Sequence, residues 1–271
     1  MPSDTVPRAA AFFDLDKTVL AASSTFALGR GLRRRGLLPP RTAARSAYAH
    51  ATYMLRGADH LQMERMRELL SELVTGWDTA VVRDVVEEAL EDVIVPLVYP
   101  EAAELLRWHA EFGRDVVVVS SGAQEVVGPV GDRLGATLTV GSTMEVVDDR
   151  YTGRIERYTY GPEKAAVLRR LADERGYDLA ASYAYSDSMT DLPMLEAVGR
   201  PHAVNPDRQL AAHAETAGWP VLELVPPPAA ARSLAAVPVP SPVAVGTVGA
   251  VGVATATAGL GWYLARRRRR P

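Results

Sequence analysis

Two acids, Asp14 and Asp16, stand two residues apart directly after an apolar run from Ala9 to Phe13, and Lys17 and Thr18 follow them. A short apolar run of this kind predicts a buried strand. Side chains two apart on an extended chain point the same way, so both carboxylates can face one reaction centre. Like charges that close are costly unless a cation or a shared proton offsets them. A solvated acidic turn is the plain alternative, and these ten residues alone do not separate the two readings.

The rest of the chain adds partners. Ser120 ends the valine run that starts at Asp115, with Ser121 and Gly122 behind it. Asp187 follows the stretch Ser182 to Tyr185, and Asp191 comes four residues later. Lys164 sits in a helix start at Pro162. In open α/β sheets, ligands bind beyond the carboxyl ends of the strands. Three strands thus bring two acids, a hydroxyl and two further acids to one edge, with an ammonium beside them. Four carboxylates without a histidine or cysteine cluster make a hard oxygen site suited to Mg²⁺. A hydroxyl and an ammonium beside that ion suit phosphoryl oxygens.

The elements that must position these residues fall into two sets. From Leu20 to about Val95 the pattern is helical. One helix is predicted from Ser24 to Arg35, stopped by three arginines and Gly36. Others are predicted at about Pro40 to Arg56 and Ala58 to Val74. A fourth opens at Asp78 with an apolar stripe through Val82, Val85, Val86, Ala89, Leu90 and Val93. Arg30, Arg33, Arg34, Arg35, Arg41 and Arg45 read as a solvated basic face rather than an anion-binding surface. The second half alternates. It predicts a helix from Pro100 to Phe112, a strand from Asp115 to Val119, and a helix from Gln124 to Leu134. A short strand at Ala136 to Val140 comes next, then a hairpin from Glu145 to Tyr160 turning at Asp148-Asp149-Arg150, and a helix from Pro162. Strands at Ser182 to Tyr185, His202 to Val204 and Val221 to Leu224 complete the pattern. Strands alternating with helices imply a parallel sheet covered on both faces.

Composition narrows the classes. The 271 residues are 48% apolar and 23% charged, ordinary globular material. Net charge is −3 with five arginines at Arg266 to Arg270, so the body without them is −8. That balance argues against nucleic acid as the main partner. The absence of cysteine excludes disulfides, zinc–thiolate sites and cysteine nucleophiles. No apolar signal segment precedes the first strand. His50, His60, His109, His202 and His213 show no ligand spacing and read as surface or packing residues. Trp77 reads as a hinge or core contact.

With FFDLDKT, VVVVSSG, the GPEK around Lys164 and YSDSMTD in hand, residues 9 to about 225 resemble the haloacid dehalogenase (HAD) superfamily. Within it they resemble subfamily IB, the phosphoserine-phosphatase-like branch. The resemblance implies an α/β, HAD-like (Rossmannoid) parallel sheet core, formed by 1–20 and 96–225, with an all-α cap at 21–95 inserted after the first strand. It implies a Mg²⁺-dependent phosphomonoester hydrolase acting on a small phosphorylated metabolite. Asp14 would be the nucleophile that forms an aspartyl-phosphate, and Asp16 the general acid and then base. Ser120 or its neighbour Ser121, with Gly122 and Lys164, would bind the phosphoryl group. Mg²⁺ would be held by Asp14, the Asp16 carbonyl and Asp187, supported by Asp191 and Thr18. Phosphoserine phosphatases usually carry a glutamate shortly after the first motif to receive the substrate ammonium. The matching stretch here, Val19 to Thr25, holds Ser23 and Ser24 and no acid. A phosphomutase or phosphotransferase would use the same aspartyl chemistry with another acceptor. A membrane-associated regulatory module without turnover would not need the intact motifs.

Beyond Val225 the composition changes. A Pro/Ala linker at 226–242 precedes an apolar segment, 243–265, and a basic tail, 266–271. As a helix, the 22 residues from Val243 to Leu264 would span roughly 33 Å, about a bilayer core. Trp262 and Tyr263 at its end suit an interface. Three forms stand open: a spanning helix, a basic anchor lying on the anionic leaflet, and a soluble tail. The expected location is a cytoplasmic catalytic domain, tethered to the inner face of the membrane in the first two cases.

Overall fold

The computed structural model describes residues 8–38, 68 and 71–230. Seven strands form one sheet in the order β4-β3-β2-β1-β5-β6-β7. They are β1 (Ala10–Phe13), β2 (Asp115–Ala123), β3 (Leu138–Val147), β4 (Arg150–Arg157), β5 (Tyr183–Ser186), β6 (Arg200–Val204) and β7 (Val221–Leu222). All neighbours are parallel except β3 and β4. β1 lies in the middle, with β2 on one side and β5 on the other, so the chain reverses its direction of travel across the sheet there. That reversal opens a crevice at the carboxyl ends of β1, β2 and β5.

β1 earns its central place by composition. All four of its residues are buried. Ala11 and Phe13 join the core on one face and Ala10 and Phe12 that on the other, as period-two alternation demands. Each phenylalanine contributes roughly 2–3 kcal/mol by burial. The first face is covered by α1 (Ser24–Arg34), α2 (Thr79–Ala89), α3 (Pro100–Glu111) and α4 (Gln124–Arg133). α5 (Pro162–Arg175), α6 (Leu192–Glu196) and α7 (Arg208–Ala217) cover the second.

Four expectations are corrected. The strand at Ala136 to Val140 and the first arm of the hairpin are one continuous strand, β3. It pairs with β2 in parallel through Val140, and with β4 in antiparallel from Thr143. Gly141 interrupts the apolar alternation at the junction and so hides the continuity. The apolar stripe of α2 ends at Ala89 because the next five residues, Leu90–Ile94, form a π-turn. The wider turn shifts the helical phase, so Ile94 is buried and Val93 is exposed. β7 ends at Leu222 rather than Leu224, since the Leu224 N–H is taken by the Asn205 side chain at 3.0 Å instead of a ladder carbonyl. The expected extended linker begins with a helical turn at 228–230, where Ala230 N–H donates to Pro227 O.

The hairpin turn is as expected, with Asp148 and Asp149 both left-handed, the backbone that twists a two-residue turn to match its strands. Of the expected helices at 40–56 and 58–74, all but 68 and 71–74 lie outside the described residues, as do His50 and His60. No described helix is long and apolar enough to cross a membrane. The segments 243–265 and 266–271 also lie outside the described residues.

Candidate active site

β1 delivers Asp14 to the crevice, and its N–H donates to Tyr185 O of β5 at 3.0 Å, continuing the ladder one residue past the strand. The chain then turns sharply. Lys17 takes a left-handed backbone, and the N–H groups of Val19 and Leu20 both donate to Leu15 O. This tight loop carries Asp16 out to the start of α1, where Asp16 Oδ1 accepts the Ser24 N–H at 2.9 Å. An anion there suits the positive end of the helix.

Lys164 arrives from the opposite face. Gly161 has φ 56 and ψ −123, a conformation open to glycine, and Pro162 follows at the first helical position of α5. Lys164 is thereby buried with its ammonium between two carboxylates, 2.6 Å from Asp14 Oδ1 and 2.7 Å from Asp191 Oδ2. The second oxygen pair of this network comes from a residue the sequence did not single out. Ser186 Oγ donates to Asp191 Oδ2 at 2.7 Å. Its only sequence signal is its position immediately before Asp187.

Asp187 follows β5 and is buried, with Thr18 Oγ1 donating to its Oδ1 at 3.3 Å. Ser120 is buried within β2, which runs on past the expected end at Val119 to Ala123 with a register shift against β3, and its Oγ accepts the Gly122 N–H at 3.1 Å. Ser121 is half-buried, and its carbonyl accepts Ser142 Oγ at 2.9 Å. The expected four-carboxylate cluster is therefore divided. Asp191 serves Lys164, Asp16 serves the α1 terminus, and Asp14 and Asp187 remain as the acidic pair.

Electrostatics follow the burial. Burial pushes the Asp14 carboxyl up to about 6 against the pull of the Lys164 ammonium, with the charge of Asp191 adding to the rise. Burial also raises Asp16, partly offset by the Ser24 N–H. Asp187 is raised well above the ordinary carboxylate range by burial and by the charge of Asp14. Burial alone would lower Lys164, but Asp14 and Asp191 overcome it and hold the ammonium charged.

A buried acid raised by the charge of a buried neighbour is an incomplete arrangement chemically: a hard divalent cation between Asp14 and Asp187 would relieve it. Among the described residues no three His, Asp or Glu side chains are arranged to hold an ion by themselves. Such a cation would complete its shell with oxygens from main chain, water or substrate, as Mg²⁺ commonly does. The donor set fits Mg²⁺.

The histidines among the described residues pack. His109 is fully buried and shares a hydrogen bond of 2.9 Å with the Tyr185 hydroxyl, His202 stacks on Tyr185, and His213 meets Trp219 edge-on. Trp77 packs against the core and accepts the Tyr151 N–H through its carbonyl at 3.0 Å.

This geometry coincides with a family match. Residues 11–196 fit the model of the haloacid dehalogenase-like hydrolases. The chain belongs to that family. A Streptomyces azureus protein named for inhibition of morphological differentiation is 51% identical over 97% of this chain and 95% of its own. A Mycobacterium tuberculosis protein named a probable phosphatase is 48% identical over 98% and 93%. A phosphoserine phosphatase of the same species is 33% identical over 89% and 78%. Among solved structures, a Bordetella pertussis protein of unknown function superposes with a TM-score of 0.70 at 30% identity, covering 80% of this chain and 99% of that one. As a haloacid dehalogenase-like hydrolase the chain is an enzyme, and the phosphoserine-phosphatase-like branch suggested by its motifs is the one its relatives occupy.

Proposed function

We propose that this hydrolase is a Mg²⁺-dependent phosphomonoesterase working through a phosphorylated Asp14. One observation carries the reading: the buried Lys164 ammonium bridges Asp14 and Asp191 at 2.6 and 2.7 Å. A lysine held there neutralises the attacking carboxylate and the incoming phosphoryl group together. Phosphoryl transfer asks mainly for positioning and charge neutralisation, so a weak nucleophile suffices.

Asp14 attacks phosphorus in line with the leaving oxygen, and that oxygen takes a proton from Asp16. The raised Asp16 carboxyl favours the protonated form this step needs. Asp16, now a carboxylate, removes a proton from water, which attacks the phosphorus of the aspartyl-phosphate and regenerates Asp14. Ser120, buried in β2 and bonded to the Gly122 N–H, is favoured over Ser121 as the hydroxyl donor to the phosphoryl oxygens, with Lys164 as the cation for them. Asp14, Asp187 and the Asp16 carbonyl would hold Mg²⁺, which when bound supplies further neutralisation of phosphoryl charge. Asp191 and Thr18 keep Lys164 and Asp187 in place.

The insert 21–95 would act as a cap over this edge. The described parts, α1 and α2, pack on the core that holds Phe13 and Leu15. Small phosphomonoesters are the substrate class. An Asp14→Asn enzyme tests the reading. It should lose phosphatase turnover, and beryllofluoride with Mg²⁺ should bind wild type and not the variant. Substantial turnover by a clean Asp14→Asn preparation refutes it.

A further inference from the structure

We propose that Asp207, outside every recognised motif, is a positioning residue that sets metal affinity by clamping the loop carrying Asp187 and Asp191. The inference rests on the phosphatase reading of Asp14 and Asp187.

Asp207 precedes α7, and its side chain and N–H make four hydrogen bonds beyond the helical one that its carbonyl accepts from Ala211. Its Oδ1 caps the helix, accepting the Gln209 and Leu210 N–H groups at 2.9 and 2.8 Å. Its Oδ2 reaches back to the catalytic loop and accepts the Met189 N–H at 2.9 Å. Its own N–H donates to the Asp187 carbonyl at 2.7 Å. One exposed side chain thus joins the start of a helix to the three-residue turn between the two functional acids.

The clamp itself is anchored. Asn205 has a left-handed backbone (φ 42) and Pro206 fixes the next dihedral. Asn205 N–H donates to Leu222 O at 2.9 Å, its amide donates to Leu224 O at 3.2 Å, and its amide oxygen accepts Leu224 N–H at 3.0 Å. The 205–207 turn is therefore tied to β7 on one side and to the 187–191 loop on the other. Within the loop, Ser188 Oγ accepts the Thr190 N–H and Asp191 N–H donates to Ser188 O. Ser186 Oγ of β5 accepts the Ser188 N–H and donates to Asp191 Oδ2, so the two ends of the turn are held while Asp207 holds Met189 between them.

The charge of Asp14 bears on Asp187 before a cation arrives, and Asp187 sits just past the end of β5. Drawing the loop outward would relieve the repulsion and spoil the cation site. The Asp207 bonds to Met189 and Asp187 oppose that movement, so the acidic pair stays pre-set for the ion. Partners that orient metal ligands in this way commonly govern affinity about ten- to a hundredfold when buried. A single exposed bond supports the lower end.

The experiment is Mg²⁺ binding to the full chain by titration calorimetry, with thermal unfolding in EDTA alongside. In Asp207→Asn the side chain keeps one acceptor, and facing it to the helix retains two N–H bonds against one, so the Met189 bond is the one lost. Asp207→Ser keeps a helix cap, but its one short hydroxyl does not span to Met189, and it serves if the asparagine variant folds poorly. Both variants should bind Mg²⁺ about five- to tenfold more weakly, with only a small drop in melting temperature. If melting temperature falls while Mg²⁺ affinity stays within about twofold of wild type, Asp207 is a helix cap and the proposal is overturned. Asp187→Asn is the reference: if it binds Mg²⁺ as wild type does, the metal site itself is misassigned, and the proposal falls with that reading rather than on its own account.

Discussion

The Ser24 N–H donates to Asp16 Oδ1 at 2.9 Å, so the residue read as acid and base also closes the N-terminus of α1. The bond joins the catalytic loop to the first helix of the insert. It favours the charged form of Asp16, opposing the upward push of burial. Any movement of α1 therefore changes both where the carboxylate points and how readily it holds a proton.

Ser24→Pro isolates that bond. Proline is favoured at a first helical position, and Ser23 already has the extended backbone, φ −71 and ψ 127, that a residue before proline needs. The substitution removes the N–H with the helix intact. Asp16 should then titrate higher, so its base form appears at higher pH and hydrolysis of the phosphoenzyme shifts with it. We expect kcat to fall about tenfold, the size of one hydrogen bond to a charged group. Ser24→Ala, which keeps the N–H, should stay near wild type in the pH profile. Identical profiles for Ser24→Pro and wild type would show that the bond is incidental.

Asp14 supplies a pH dependence of known sign. Its folded value, about 6, lies above the unfolded value of 3.8. In the metal-free protein this group contributes stability fully present below 3.8 and lost as pH rises toward 6. Buried His109 works in the opposite sense, since its value of about 4 lies below the unfolded 6.5, and its contribution is lost as pH falls through that window. Raw melting curves therefore mix the two. The difference between Mg²⁺ and EDTA removes His109, because it lies among aromatic rings and not at the acidic pair. The Mg²⁺-induced rise in melting temperature should be small near pH 4, grow through about pH 6 as the proton leaves Asp14, and grow further as it leaves Asp187, whose carboxyl burial and Asp14 also raise. A shift independent of pH across that range would place the ion elsewhere.

The chemistry-bearing residues were legible because they sit at strand ends, where an acid or hydroxyl breaks an apolar run and has no reason in packing to be there. Asp14, Asp16 and Asp187 carry that signature, and Ser120 carries it where the valine run of β2 stops, three residues before the strand does. Lys164 was legible from its Pro162 start. What stayed hidden depends on contacts remote in sequence or on backbone phase. Nothing local shows that Asp191 turns to Lys164 while the charge of Asp14 bears on Asp187, since both follow the same strand. The π-turn after α2 leaves no mark in the apolar stripe read through Val93. Asp207 reads as an ordinary helix cap until the Met189 N–H appears opposite its second oxygen.

Gly141 shows how closely β3 approaches the Ser120–Gly122 loop. A Cβ there would lie 2.8 Å from Gln124 Cα, 2.9 Å from Gln124 N and 2.9 Å from Gly122 O. All three are backbone atoms, so no side chain can swing aside. Gly141→Ala must push the strand off the loop, at about 1–3 kcal/mol by the usual cost of overpacking, and should cost activity beyond that loss of stability. Gly128, inside α4, is the contrast. A Cβ there meets the end of the Gln124 side chain at 3.4 Å, and Gly128→Ala should be neutral or stabilising by roughly 0.5–1 kcal/mol. Melting temperatures and kcat of the two variants, measured together, decide the matter. Equal behaviour would mean that the strand has slack at Gly141.

The start of α1 also bears on substrate choice. Its first turn contains no acid, and Val19 to Thr25 contain none. The helix end exposes partial positive charge, already answered by Asp16. An ammonium placed there would meet no acid besides Asp16, which is bonded to the Ser24 N–H and is needed protonated for the first step, so its lost hydration would go uncompensated. Phosphoserine should therefore gain nothing from its amine. We expect its kcat/KM to be no higher than that of an amine-free phosphomonoester of the same size that keeps the carboxylate, such as phosphoglycerate. The comparison needs both specificity constants on the full chain with saturating Mg²⁺. A preference of tenfold or more for phosphoserine, equivalent to about 1.4 kcal/mol of transition-state binding, would require an acid supplied from elsewhere in the insert.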